Sequence, residues 1–72
     1  MIAYIDIIER GRALIMIGNR SAFVGRDGGR YYIDDEDTGE TIGYAASYEA
    51  AARRFARHHG VRVTRIEKDK EY

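Results

Sequence analysis

Ser47-Tyr48-Glu49-Ala50-Ala51-Ala52-Arg53-Arg54-Phe55-Ala56-Arg57-His58-His59-Gly60 is the stretch whose reading decides the fold. Tyr48, Ala51, Ala52, Phe55, Ala56 and His59 recur at helical spacing and make one apolar stripe. Ser47 is a good N-cap residue, and Glu49 sits in the first turn, where the helix dipole favours an anion. Arg57, His58 and His59 crowd the last turn, and Gly60 stands where a C′ glycine is expected. The pattern predicts an amphipathic helix over 47–59, packed on a sheet. Glu49, Arg53 and Arg57 follow at spacing four on its outer side, a spacing that favours ion pairs.

Outward from the helix, the preceding residues read as short strands. In Ile2–Glu9, Ala3, Ile5 and Ile7 share one face, with Tyr4, Asp6 and Ile8 on the other. Ala13–Ile17 is a short continuous apolar run, expected as a central strand buried on both faces. Gly11-Arg12 and Gly18-Asn19-Arg20 mark turns. Asp27-Gly28-Gly29 joins 22–26 to 30–34 as a hairpin, and Asp37-Thr38-Gly39 joins Tyr31–Asp34 to Thr41–Ala45. After Gly60, Val61, Val63 and Arg65 alternate with Arg62, Thr64 and Ile66 in a last strand, and 68–72 reads as a solvated tail. The expected fold is α+β: an antiparallel meander of four to six strands, one helix, and a C-terminal strand, in a single domain over 1–72.

A chain of 72 residues without cysteine has neither disulfides nor thiolate metal sites to supplement its core. Nine of its apolar residues are alanine, so burying a further face in a dimer or a complex would add stability. No segment holds the roughly 20 apolar residues of a membrane span. Asp6 and Glu9 interrupt the apolar N-terminus, which does not read as a signal peptide; a cytoplasmic protein is expected.

The net charge is zero but unevenly spread: +2 over 1–30, −6 over 31–49 and +4 over 50–72. A neutral chain lacks the overall cationic surface from which general nucleic-acid affinity derives. Asp34, Asp35, Glu36, Asp37 and Glu40 place five carboxylates within seven residues, where a turn requires one Asp and one Gly. The excess points to an anionic knob that engages a basic protein surface. The plain alternative is solubility and protection of a strand end. Tyr31 and Tyr32, adjacent on a strand, face opposite ways, so one is expected outside the core as an interface anchor. The second surface is Arg53, Arg54 and Arg57, read either as a phosphate-contacting face or as a solvated helix face partly neutralised by Glu49.

Chemistry finds little support in the pattern. With Gly39 at the sixth position of a calcium loop, the twelfth is Ala45, where a bidentate Glu is required. His58 and His59 are adjacent, and on a continuous helix they point about 100° apart, so no metal site is expected from them. No G-x-S-x-G, P-loop or G-x-G-x-x-G occurs, and Ser21 and Ser47 fit turn and cap roles. No enzymatic activity and no cofactor are expected.

From Arg30 to Gly60 the order strand, acidic turn, strand, Ser cap and Ala-rich helix resembles the sheet-plus-helix arm-binding domains of phage integrases. Those carry basic and aromatic residues on the sheet, whereas this hairpin is acidic. In size, lack of motif and carboxylate clustering the chain is similar to small accessory proteins of phages and mobile elements, anti-CRISPR proteins among them. That resemblance implies a non-enzymatic inhibitor presenting a DNA-mimic-like acidic hairpin, Asp34 to Glu40 with Tyr31 and Tyr32, to a basic partner. The alternatives are a nucleic-acid-binding accessory protein using Arg53, Arg54 and Arg57, and a small regulatory homodimer joined along a sheet edge.

Overall fold

A computed structural model describes all 72 residues. The chain forms β1 (Ile2–Glu9), β2 (Arg12–Ile17), β3 (Arg20–Asp27), β4 (Arg30–Asp35), β5 (Thr41–Ala45), α1 (Tyr48–His58) and β6 (Arg65–Lys70). The strands make one sheet in the order β5-β4-β3-β2-β1-β6. β1 to β5 form the expected antiparallel meander. β6 lies parallel to β1, so the sheet is mixed. Parallel neighbours need a crossover, and the helix supplies it. The chain enters α1 from one edge strand and leaves it to pair at the opposite edge. The last strand therefore starts later than the alternation from Val61 to Ile66 suggested, at Arg65, and runs on to Lys70. Lys68, Asp69 and Lys70 pair with Ile5, Asp6 and Ile7, so they belong to the sheet, leaving only Glu71 and Tyr72 beyond it.

The helix begins and ends where its capping residues place it. Ser47 is extended (φ −150°, ψ 167°), and its hydroxyl accepts from the Ala50 N–H at 3.1 Å. His59 is the C-cap, already outside helical geometry (φ −97°, ψ 6°). Gly60 follows with φ +67°, a conformation that an L side chain would strain.

The core lies between α1 and one face of the sheet. Ala51, Ala52, Phe55 and Ala56 pack on Ala3, Ile5, Ala13, Ile15, Ile17, Ala22, Val24 and Ile33. Small residues on both sides bring helix and sheet close together, and Phe55, Ile5, Ile15 and Ile33 fill the space between. Tyr31 and Tyr48 extend this core at the start of α1, with ring centroids 4.6 Å apart. Burial, and then the neighbouring Tyr31 hydroxyl, push the Tyr48 phenol up.

No helix covers the other face. The expectation that Ala13–Ile17 is buried on both faces is thereby corrected: Ala13, Ile15 and Ile17 are buried, while Leu14 and Met16 are only partly so, screened by neighbours on the outer face. On that face Tyr32 lies across Gly25, its partner in register, and a Cβ at position 25 would collide with the Tyr32 ring and hydroxyl. The glycine is buried although it lies on the outer face.

This packing predicts a sign reversal. Gly25→Ala in the native background displaces Tyr32 and lowers stability by about 1 kcal/mol; in a Tyr32→Ala background it becomes neutral or stabilising, because alanine restricts the unfolded chain. A double-mutant cycle by urea denaturation measures the reversal. Equal destabilisation in both backgrounds would show that the ring does not need the glycine.

Candidate functional surfaces

The acidic stretch does not form one knob. Strand alternation carries Tyr31, Ile33 and Asp35 to the helix side of β4, and Tyr32 and Asp34 to the outer side. Asp35 is only 2% exposed. One oxygen, Oδ1, accepts from the Asp37 N–H at 2.9 Å. The other, Oδ2, lies 2.7 Å from His59 Nε2, which donates, since an ionised carboxylate can only accept. Burial pushes the Asp35 carboxyl up, but the Asp37 N–H, the hydrogen bond to His59, and the charges of His59 and His58 together hold it below its ordinary value. Asp35 is thus the clasp that fastens the helix C-terminus to β4, and it presents nothing to a partner.

The remaining acids divide. Asp34 stands on the outer face and accepts from the Thr41 hydroxyl at 2.5 Å. Glu36, Asp37 and Glu40 stay exposed in the β4–β5 turn. The turn is built by backbone bonds from Gly39 N–H to Asp35 O (2.7 Å) and from Asp35 N–H to Glu40 O (2.9 Å). Of the two tyrosines, Tyr31 packs inward on Tyr48 and Tyr32 faces out over Gly25, the opposed arrangement expected of neighbours on a strand.

The arginine face is less neutralised than its spacing suggested. Glu49 turns away from Arg53 and pairs with Lys68 of β6 at 2.7 Å, a hydrogen bond that also lowers the Glu49 carboxyl. Arg53, Arg54 and Arg57 are exposed and make no ion pair. Arg54 lays its guanidinium over Gly43 of β5, where any Cβ would collide with it. Arg53 and Arg57 line a shallow groove against Gly60–Val63.

The outer sheet face is the surface that the sequence reading missed. Strand register places Tyr4, Met16 and Ser21 in one row. The next row holds Asp6, Leu14, Phe23, Asp34 and Thr41, and a third holds Arg12, Gly25, Tyr32 and Tyr44. Tyr4 and Tyr44 are 46% and 40% exposed, so the aromatic rim is open to solvent. Arg12 lies over the Phe23 ring at 5.0 Å, and Arg30 over Tyr44 at 3.8 Å. Beside β6, Tyr4 and Met16 line a shallow groove together with Asp6, Glu67 and Asp69. Asp6 Oδ1 is buried there with no donor. A hydrogen bond to Asp6, and then the Asp6 charge, push the exposed Glu71 carboxyl up, so that only a protonated Glu71 gives Asp6 a donor from within the chain.

Comparison with protein-family models, curated proteins and solved structures found no match. No helix is long and apolar enough to cross a membrane.

The Asp35–His59 clasp carries a pH prediction. Because its folded pKa is depressed, Asp35 contributes stability that is complete above the unfolded value of 3.8 and is lost as pH falls through the lower, folded value. Asp35→Asn lowers stability at pH 7 by about 3 kcal/mol, the usual cost of breaking a buried pair. The gap between wild type and variant closes as pH drops below 3.8. Urea unfolding of both chains from pH 7 to pH 2.5 measures it, and a gap independent of pH would refute the assignment.

Proposed function

We propose that this protein is a non-enzymatic protein-binding module that docks a basic partner on its outer sheet face. The observation that carries the reading is the buried, donor-less Asp6 Oδ1 in a groove lined by Tyr4, Met16, Glu67 and Asp69. A buried acceptor without a donor is costly, and a lysine or arginine from a partner that displaces the exposed Glu71 side chain would satisfy it while packing its methylenes on Tyr4 and Met16. Asp34 on the same face, and Glu36, Asp37 and Glu40 in the β4–β5 turn, extend the acidic character toward the other edge. Leu14, Phe23, Tyr32 and Tyr44 between them offer the apolar and aromatic contacts on which interface affinity depends. An inhibitor of a nucleic-acid-binding protein is one module of this kind.

Immobilised wild-type protein is expected to capture a basic partner from its native host. Capture fails with the outer-face variant Asp6→Asn/Glu67→Gln/Asp69→Asn and weakens with Glu36→Gln/Asp37→Asn/Glu40→Gln. Equal capture by all three chains would sink the reading.

A second reading, a nucleic-acid-binding accessory protein, is favoured by the pairing of Glu49 with Lys68, which leaves Arg53, Arg54 and Arg57 without a carboxylate partner. Under this reading, fluorescence anisotropy detects binding to labelled DNA or RNA at low salt. The binding weakens steeply with added salt and is lost in the triple alanine variant. No anisotropy change at low salt would dismiss it. Dimerisation along the β6 edge gains less support, because Arg65-Ile66-Glu67-Lys68-Asp69-Lys70 is charged at every position but one, a composition that blunts edges.

A further inference from the structure

We propose that Asp35, His58 and His59 form a three-donor site for a borderline divalent transition-metal ion of the zinc class. Their carboxylate oxygen and ring nitrogens all lie within 4.8 Å of one another. Adjacent histidines diverge on a continuous helix, but His59 is the C-cap and has left helical geometry. The His58 and His59 rings consequently come together edge to face, with centroids 4.9 Å apart.

Two further features favour a metal over a simple clasp. A clasp needs one histidine, and His59 supplies it; His58 is exposed, makes no hydrogen bond and is free to turn. Asp35 is buried and held by the Asp37 N–H through its other oxygen, the kind of backing that orients a ligand carboxylate. Donors around a tetrahedral ion with bonds of about 2.0–2.1 Å stand roughly 3.4 Å apart. Release of the His59 Nε2 proton to solvent, rotation of His58 and a small opening of the 2.7 Å Asp35–His59 contact would bring the three donors to that spacing.

Two imidazoles and one carboxylate suit zinc, cobalt(II) or nickel(II) better than calcium or magnesium, with water completing the shell. Electrostatics cut both ways. The negative end of the helix dipole and the acids Glu36, Asp37 and Glu40 on the Asp35 turn favour the ion. Arg54 and Arg57, which share a shallow pocket with His58, oppose it. The site therefore resembles an open, moderate-affinity site more than a closed structural one.

Zinc chloride titrated into untagged wild-type protein at pH 7.5 is expected to bind with one saturable equivalent and to raise the thermal midpoint. Cobalt(II) is expected to give visible d–d absorption. His58→Ala, which spares the Asp35–His59 clasp, loses at least ~10-fold in affinity, comparable to the loss of a metal-site group. Arg57→Gln, which removes a neighbouring cation, tightens binding. Both variants are expected to melt within a degree or two of wild type without metal, so an altered fold is recognised separately. Unchanged zinc affinity in His58→Ala, or no zinc binding by wild type up to ~1 mM, would overturn the proposal.

Discussion

One helix must serve a sheet of six strands, and most of the molecule's properties follow from that shortage. Six strands at about 4.8 Å spacing span roughly 24 Å, whereas a helix with its side chains is about 10–12 Å across. α1 therefore covers only part of one face, crossing from the edge strand β5 over β4 toward β1. It does so by close approach, with alanines at the contact on both sides: Ala51, Ala52 and Ala56 from the helix and Ala3, Ala13 and Ala22 from the sheet. Bulkier residues at these positions would lift the helix and thin the contact. The core is consequently small, and the ends of α1 need polar attachments. Glu49–Lys68 ties its first turn to β6, and Asp35–His59 ties its C-cap to β4.

These attachments redistribute the charges along the chain. Two residues that look like parts of surface patches are components of the helix–sheet joint. Asp35 belongs by position to the acidic hairpin, yet it is the most deeply buried charged residue of the chain. Glu49 belongs by spacing to the arginine ladder of the helix, yet it reaches across to β6. Removing the two from their apparent patches weakens the acidic hairpin as a knob and strengthens the arginine face as a cation. It also separates structural charge, on the helix side, from unsatisfied charge, at Asp6 on the outer side.

Much of the fold was legible in the sequence because it rests on local signals. The Ser47 cap, the Tyr48–Ala56 stripe and Gly60 locate the helix, and the glycine turns locate the meander. The parallel placement of β6 was not legible, since it follows from where the crossover lands, a property of the whole sheet. The run Ala13–Ile17 was misread because continuous apolarity does not reveal whether a second layer exists; the presence of only one helical segment was the available clue. The site was less legible still. Asp35 and His59 are 24 positions apart, and only the period-two alternation of Tyr31, Ile33 and Asp35 hinted that the acid faces inward. The approach of the His58 and His59 rings to each other was not legible either, because α1 ends at His58 and helical geometry no longer sets the direction of His59.

The uncovered face is a mixture of apolar and charged side chains rather than a second apolar layer. Its apolar centre, Leu14 and Phe23, is flanked in the same row by Asp6 and Asp34, and the Phe23 and Tyr44 rings are each capped by an arginine. A surface that buries this row desolvates both carboxylates, of which Asp34 already accepts from the Thr41 hydroxyl while Asp6 Oδ1 has no donor. Desolvating a charge is costly unless a donor replaces the water it loses. The polar residues on the outer face thus make the absence of a second helix tolerable to the isolated chain, and they raise the cost of burying its apolar centre against any surface that leaves the carboxylates without donors.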